Sequence, residues 1–248
     1  MQFSVSFREH FTEYSRRDPI NHSATKDYNS NKRLNAFLSH VNIGECVLKG
    51  VLEAYSCKLA GIDKKLSRSL EQEVLDYLLE SSESHSSSPV GPLCNSTSRR
   101  TLIHLILTLN HMYPDYDFRS MIRAHHFSKE QGLNTVRQKM ENYLLEAEKV
   151  WAADNGEDVS FLDSIWKAID EVIDIADSEI YSYMPEVEGD DIFERGSIWF
   201  FNFFFYNKKL KRILCFSCRS LSKLAIDDSS ADEMMSDEEA IFQGMDME

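Results

Sequence analysis

The sequence predicts an α+β fold in which a mostly antiparallel sheet is covered by helices. Residues 199–205 are nearly all aromatic, a composition typical of a β-strand. A polar stretch at 206–209 separates them from 210–219, where apolar and polar residues alternate, and this order predicts an antiparallel hairpin. The first strand is apolar on both faces apart from Asn202, so we expect it to lie centrally in the sheet. Segments with helical periodicity elsewhere in the chain supply the covering helices.

The composition of the 248 residues indicates a protein of a reducing compartment. No apolar run approaches the roughly 20 residues that cross a bilayer, and the first ten residues carry charge and no hydrophobic signal core. We therefore expect a cytosolic or nuclear protein with no membrane partner, and residence in both compartments is implied only by the resemblance described below. The cysteines are odd in number and widely spread, which indicates free thiols and not a disulfide framework. They are Cys46, Cys57, Cys94, Cys215 and Cys218.

Negative charge is concentrated at the C-terminus. The formal net charge is −14, and nine acidic residues without a Lys or Arg lie between Asp227 and Glu248. Domains that bind nucleic acid usually carry a basic excess, so this balance argues against DNA or RNA as the main partner. The acidic segment has two interpretations: a disordered, solubilising end, or an electrostatic arm regulated by modification.

We divide the chain into three parts. Residues 1–31 mix charge, Ser and Asn without a sustained period and are expected to form a poorly ordered N-terminal extension. Residues 32–222 form a single predicted α+β domain, and residues 223–248 a disordered acidic tail. Residues 81–97 begin with a Ser-rich run and predict a flexible loop within that domain. A linker between two domains is the alternative, but neither flank looks self-sufficient.

The first part of the domain predicts two helices and one or two strands. A short helix is expected around Leu34. Alternating residues at 46–58 predict one or two strands with a β-bulge at Gly50. The apolar period then becomes helical over 63–79.

Capping residues predict two further helices. Ser98 is the predicted N-cap of a helix that ends at Tyr113, just before Pro114. Ser128, with Gln131 three residues later, predicts a capping box that opens a helix toward residue 150.

The clearest helix begins at Ser160, which forms an N-terminal signature with Asp163. Residues 115–118 predict a turn or a short extended piece, and residues 180–184 predict a strand. The apolar stripe of the helix comprises Leu162, Ile165, Trp166, Ile169, Val172 and Ile173.

Catalytic and metal-binding motifs are missing from the sequence. It contains no G-x-S-x-G, P-loop or G-x-G-x-x-G pattern. Cys215 and Cys218 lie three residues apart on a predicted strand, so their side chains point to opposite faces and cannot share a zinc ion unless the segment is a tight loop. His125 and His126 have no nearby Cys or spaced acid, and we expect them at the surface. We expect no cofactor, no metal and no catalytic residue.

The predicted hairpin has two interpretations. Exposed aromatic side chains beside Lys and Arg would stack RNA bases. Buried aromatic side chains would instead form the core, and apolarity on both faces favours this for most of them. The basic cluster at the turn is a candidate nuclear localisation signal, or a site that docks an acidic protein surface. It comprises Lys208, Lys209, Lys211 and Arg212.

Three serines are candidate phosphorylation sites. Ser230 and Ser236 are followed by acidic residues, which suits an acid-directed kinase. Ser88 precedes Pro89, which suits a proline-directed kinase. Each phosphate would add roughly −1.5 to −2 charges.

Four segments of the chain carry a family signature. They are Tyr55-Ser56-Cys57-Lys58 with Ala60-Gly61, Pro114-Asp115-Tyr116-Asp117-Phe118, Ile180-Tyr181-Ser182-Tyr183, and residues 201–213 with Phe204-Phe205-Tyr206-Asn207, followed by Phe216-Ser217-Cys218-Arg219-Ser220. In this order they resemble the Maf-type negative regulators of RNA polymerase III, which are distinct from the leucine-zipper Maf proteins. Residues 1–30 depart from the short start of that family, and Cys215 stands where an apolar residue is usual.

The resemblance implies a non-enzymatic α+β repressor that binds RNA polymerase III and hinders its engagement with the promoter-bound initiation factor. Synthesis of transfer RNA, 5S ribosomal RNA and other small RNAs would fall. The resemblance also implies control by kinases and phosphatases, the phosphorylated protein being inactive and the dephosphorylated protein entering the nucleus under stress. Residues 81–91 occupy the place of a phosphorylated loop in the family. The alternative is a direct RNA- or DNA-binding module that uses the aromatic and basic hairpin.

Overall fold

The strands of the described part of the chain form one antiparallel sheet. The computed structural model describes residues 32–80, 88–114, 118, 124–156, 158–184 and 196–225. The strands within this part of the chain are β1 (Val41–Ile43), β2 (Cys46–Ser56), β3 (Phe127–Lys129), β4 (Glu179–Tyr183), β5 (Ser197–Asn207) and β6 (Arg212–Ser222). They lie in the order β1-β2-β6-β5-β4-β3, and each neighbouring pair is antiparallel.

Helices cover both faces of this sheet, which confirms the predicted α+β class. They are α1 (32–38), α2 (Gly61–Glu80), α3 (Ser96–Met112), α4 (Leu133–Asn155) and α5 (Phe161–Ile173). The buried residues of α1, α4 and α5 pack on one face, and those of α2 and α3 pack on the other. No helix of the described residues has the length and apolarity needed to cross a bilayer.

The hairpin of β5 and β6 occupies the centre of the sheet. Its register pairs Phe203 with Phe216 and Phe205 with Leu214. Successive residues of β5 face opposite sides, so Phe204 is buried beneath α3 and Phe205 beneath α5. Full burial of a side chain of this size contributes roughly 1.5–3 kcal/mol. Burial on both faces explains the central position, as the sequence predicts.

Cys215 and Cys218 point to opposite faces of β6, as their spacing predicts. Cys215 belongs to the core beneath α2 and α3, and Cys218 to the core beneath α1, α4 and α5. Both are free thiols, and burial raises the pKa of each above its usual value. They are core residues and do not share a metal site.

The β-bulge predicted at Gly50 is wrong. β2 pairs with β6 without interruption, and Gly50 lies opposite Cys218. A Cβ atom at Gly50 would lie 3.1 Å from the Cys218 Sγ and 3.2 Å from the Leu38 Cδ2. Gly50 therefore lets α1 approach the sheet closely, a role that the sequence pattern does not distinguish from a bulge.

The capping box predicted at Ser128 is also wrong. Ser128 lies in β3 and pairs with Ser182 of β4. α4 begins later, after Gly132, and its first turn has no side-chain cap. Phe127 is fully buried and fixes β3 against the sheet, so packing overrides the local capping pattern.

The loop predicted at 81–97 ends earlier than expected. α3 begins at Ser96, and its N-cap is Asn95, whose side chain accepts a hydrogen bond from the Thr97 N–H at 2.9 Å. The predicted cap, Ser98, is buried within the first turn of the helix. The last two residues of the predicted loop are therefore helical.

Other predicted elements are confirmed. α2 covers the segment 63–79, and β4 matches the strand predicted at 180–184 within one residue. The Ser160 hydroxyl accepts a hydrogen bond from the Asp163 N–H at 3.1 Å, so Ser160 caps α5 as expected.

Several predictions concern segments outside the described residues. These are the N-terminal extension, the Ser-rich first part of the loop, the turn of the second signature and most of the acidic tail. The segments are 1–31, 81–87, 115–117 and 226–248.

Candidate functional site

A single buried side chain, Asn207, builds the turn between β5 and β6. Its Oδ1 accepts hydrogen bonds from the backbone N–H groups of Lys209 and Leu210, each at 3.0 Å. Its Nδ2 donates to the Ile173 carbonyl at 2.8 Å, where α5 ends. Asn side chains commonly satisfy turn backbone in this way. Asn207 therefore shapes the turn and ties it to α5.

The ends of the two hairpin strands differ from the prediction. Tyr206 and Asn207, expected in the turn, are the last residues of β5, whereas Leu210, expected in β6, lies in the turn. Lys211, also expected on the strand, has a φ of +53°, in the left-handed region, and its carbonyl accepts a hydrogen bond from the Cys57 N–H at 2.9 Å. The Asn207 hydrogen bonds and this backbone conformation delay the start of β6.

Glu179 is the centre of a charged network beside the turn. Its Oε2 lies 2.5 Å from the Lys208 Nζ and accepts a hydrogen bond from the Tyr181 hydroxyl at 2.9 Å. Its Oε1 lies 2.8 Å from the Lys129 Nζ. Burial alone would raise the pKa of Glu179, but hydrogen bonds from the two lysines and the tyrosine outweigh it and lower the pKa to about 2. Glu179 is therefore ionised at neutral pH.

The other cations of the predicted cluster lie around the same turn. The Lys209 Nζ lies 2.8 Å from the Asp177 Oδ2, and this hydrogen bond raises the pKa of Lys209. Arg212 Nη1 donates to the Val172 carbonyl at 3.3 Å. Lys211 is exposed, as are the other three cations. The structure thus gathers the four predicted cations and places carboxylates against two of them.

The aromatic signature residues form core, and the base-stacking interpretation does not hold for them. Phe204, Phe205 and Tyr206 are buried. The Tyr206 hydroxyl lies 3.0 Å from the His104 Nδ1. Burial raises the pKa of Tyr206 to about 12. Burial, together with the nearby Arg100 charge, lowers the pKa of His104 to about 4.

The remaining signature residues lie at different distances from the turn. Tyr55 and Ser56 end β2 beside the first residues of β6, and burial raises the pKa of the following Cys57 to about 12. Tyr181 and Tyr183 are buried in β4. Three of the four segments therefore meet in neighbouring strands. Pro114 is exposed after α3, Lys58 is exposed after β2, and Asp115, Tyr116 and Asp117 lie outside the described residues.

One candidate phosphorylation site lies in a described turn. The Ser88 hydroxyl donates a hydrogen bond to the Gly91 carbonyl at 2.5 Å, and the Gly91 N–H donates to the Ser88 carbonyl at 2.8 Å. Ser230 and Ser236 lie outside the described residues. Their modification stays a prediction, as does that of Ser88.

The adjacent residues His125 and His126 differ in burial. His125 is exposed as expected, but His126 is buried, and its surface placement was wrong. Its carbonyl accepts a hydrogen bond from the Met184 N–H at 2.8 Å, and it precedes the buried Phe127, so the sheet edge holds it inside. Across the described ranges, no group of three or more His, Cys, Asp or Glu side chains is placed to hold a metal ion.

Sequence reasoning missed Glu179, Asp177 and Lys129, because they lie far from the hairpin in the chain. Strand register brings Glu179 and Lys129 to the hairpin, since Glu179 pairs with Tyr206 and Lys129 pairs with Tyr181, whereas Asp177 lies in the 3-10 helix between α5 and β4. The available signal was an acidic residue directly before the strand predicted at 180–184.

Comparison with known proteins identifies relatives of this chain. The family profile described as Maf1 regulator matches residues 48–217. A Dictyostelium discoideum protein named repressor of RNA polymerase III transcription is 34% identical over 256 residues, covering 84% of this chain and 89% of the relative. The Schizosaccharomyces pombe repressor of RNA polymerase III transcription maf1 is 32% identical over 207 residues, covering 80% and 82%. A crystal structure of citrus MAF1 is 48% identical, with a TM-score of 0.63, and covers 78% of this chain and 97% of that chain.

Proposed function

The chain belongs to the Maf1 family of regulators, and from this premise we propose that it represses transcription by RNA polymerase III. The extent of the family match carries the proposal. The match begins in β2 and ends in β6, so it includes the central hairpin and the helices from α2 to α5. The relatives that match most of this chain are named as repressors of RNA polymerase III transcription.

Repression by binding needs a folded surface and no catalytic constellation. The sheet is covered on both faces, and the hairpin turn presents exposed cations to solvent. The domain would bind the polymerase and hinder its engagement with the promoter-bound initiation factor by occupying space. Transfer RNA, 5S ribosomal RNA and other small RNAs are the transcripts that would fall. The polymerase and its initiation factor are the partners in this proposal.

Control by kinases and phosphatases is part of the proposal. A phosphate on Ser88 would remove the hydroxyl that donates to the Gly91 carbonyl and would add roughly −1.5 to −2 charges. The same turn buries Val90 and Leu93 against the core beneath α2 and α3. Loss of the turn would therefore alter the surface of the domain around these two residues. We propose that the phosphorylated protein is inactive, and that the dephosphorylated protein accumulates in the nucleus.

The test uses purified RNA polymerase III and the full chain in two forms, dephosphorylated and kinase-treated. We expect the immobilised polymerase to retain the dephosphorylated form more strongly. That form should also lower transcription from a transfer RNA gene and leave an RNA polymerase II template unaffected. No retention of the dephosphorylated form would overturn the binding step. Retention of the dephosphorylated form without a fall in transcription would overturn the proposal that the bound protein hinders engagement of the polymerase with the initiation factor.

A direct nucleic-acid-binding role is the second candidate, and the exposed cations at the turn favour it. Binding through phosphates would weaken steeply with salt and would respond to charge reversal at Lys208 and Lys209. The buried aromatic side chains and the net charge of −14 argue against it. If no oligonucleotide shifts with the protein at low salt, this candidate fails.

A further inference from the structure

The apex of the hairpin turn combines an apolar side chain with four cations. We call residues 208–212 the hairpin tip. Leu210 lies within it with 47% of its surface exposed. Two exposed cations precede Leu210 and two follow it: Lys208, Lys209, Lys211 and Arg212. A loop that serves only to connect two strands gains no stability from an exposed leucine at this place.

The hairpin tip is a basic region of an acidic chain. The formal net charge is −14, yet cations outnumber carboxylates around the tip. Lys129 joins the four cations through Glu179, and the carboxylates that face them come from the residues directly after α5. The carboxylates are Glu179, Asp177 and Asp174.

The counter-ions of the tip are accessible enough to be exchanged. In the Lys208–Glu179 pair the side chains are 43% and 32% exposed, and in the Lys209–Asp177 pair they are 75% and 43% exposed. Exposed ion pairs contribute little free energy, so a carboxylate from another molecule can replace either acid. The backbone of the tip is already fixed by Asn207, which reduces the entropy lost when a ligand binds.

We propose that the hairpin tip docks an acidic peptide segment of a partner protein, one that carries an apolar side chain among its carboxylates. The apolar side chain contacts Leu210. The carboxylates replace Glu179 on Lys208 and Asp177 on Lys209, and also contact the cations after Leu210. Glu179 and Asp177 thus hold the lysines in place when the partner is absent and compete with it when it arrives.

The same features disfavour a nucleic acid at this site. Phosphates would use the cations but would leave Leu210 without an apolar contact. Base stacking needs exposed aromatic rings, and the aromatic residues nearest the tip, Phe205 and Tyr206, are buried. This inference does not depend on repression of the polymerase, since its test contains no polymerase.

The experiment measures the binding of two fluorescein-labelled peptides to the full chain by fluorescence polarisation. Both peptides consist of Asp and Glu with one central residue, leucine in the first and serine in the second. The wild-type chain should bind the leucine peptide more tightly. Leu210→Ser should weaken binding of the leucine peptide by about fivefold, toward the level of the serine peptide, because the apolar contact is lost.

Removal of a counter-ion should strengthen binding. Glu179→Gln should tighten binding of both peptides by about twofold to fivefold, the range expected for an exposed ion pair. Glu146→Gln is the matched control, because it makes the same charge change on α4, where Glu146 pairs with Lys149. The control should bind like the wild type. Thermal unfolding checks that each variant is folded, and Asp177→Asn gives a second comparison at Lys209 if Glu179→Gln is unstable.

Three results would overturn the proposal. The first is equal affinity of the wild-type chain for the two peptides. The second is an equal response to Glu179→Gln and Glu146→Gln. The third is a single-stranded oligonucleotide that binds more tightly than the leucine peptide and ignores Leu210→Ser, which would assign the tip to nucleic acid.

Discussion

Replacing Asn207 tests whether one buried amide holds the hairpin turn. Asn207→Ala removes the acceptor of two turn N–H groups and the donor to the Ile173 carbonyl. The turn N–H groups can bind water instead, so each lost bond costs only about 0.5–1.5 kcal/mol. The Ile173 carbonyl is buried in its contact with Asn207, and an unsatisfied buried acceptor costs about 1–3 kcal/mol. We expect a total loss of about 2–6 kcal/mol.

Equilibrium unfolding in urea, followed by far-ultraviolet circular dichroism, measures this loss. Thermal unfolding should show a midpoint lower by roughly 4–24 °C for a domain of this size. The urea m-value should stay unchanged, because the surface exposed on unfolding is nearly the same. A loss below about 1 kcal/mol at unchanged m-value would refute the assigned role of Asn207.

Asn207→Asp separates the donor from the acceptor. It keeps an oxygen for the turn N–H groups but places a carboxylate against the Ile173 carbonyl. At neutral pH this variant should be no more stable than Asn207→Ala. When the new carboxyl is protonated at acidic pH, its O–H can donate to Ile173, so part of the loss should be recovered relative to the wild type at the same pH. No recovery would mean that the bond to α5 contributes little.

Three further predictions concern other parts of the molecule. His104 has a folded-state pKa of about 4, below its ordinary 6.5, because burial disfavours the charged ring. Its contribution to the free energy of unfolding is therefore complete above pH 6.5 and is lost as the pH falls toward 4. In urea titrations over that range, the free energy of unfolding of His104→Gln should fall less than that of the wild type. Gly50→Ala should destabilise by about 1–3 kcal/mol in the same assay, because the added Cβ meets close atoms on β6 and α1. Gly132→Ala is its control and should be close to neutral, since nothing lies within 4 Å of the added Cβ. Replacing the four cations of the tip by alanine should abolish nuclear accumulation, provided that circular dichroism shows the variant to be folded. Unchanged nuclear accumulation would contradict the predicted localisation signal. The four cations are Lys208, Lys209, Lys211 and Arg212.

Much of the fold could be predicted because its main elements carry strong periodic signals. α5 has a continuous apolar stripe and a Ser160 cap, and β5 is apolar on both faces, so local pattern and tertiary burial agree. Ser128 and Gly50 show where this agreement fails. Ser128 and Gln131 have the spacing of a capping box, but the burial of Phe127 places Ser128 in β3. Gly50 interrupts an alternating strand, as a glycine at a β-bulge does, but in the structure it lets α1 approach the sheet closely.

The candidate site was predictable only in part, for a different reason. The cations of the hairpin are adjacent in sequence, so the cluster was visible without a structure. Their counter-ions are contributed by β4 and by the 3-10 helix Ile175–Asp177, and Lys129 comes from β3. Antiparallel register brings Glu179 and Lys129 to the hairpin, and a single sequence gives no measure of register between strands so far apart.

The hairpin therefore has two parts that must be tested in different ways. Along β5 and β6 the side chains fill both cores, so substitution of Phe204 or Phe205 changes stability and reports little about a partner. At the tip, Asn207 and the left-handed Lys211 fix the backbone, while the exposed side chains can be exchanged with little effect on the core. The charge that a partner meets there depends on Glu179 as much as on the lysines, because this carboxylate stays ionised and holds two cations. A functional mutation at the tip must therefore be compared with a change at Glu179.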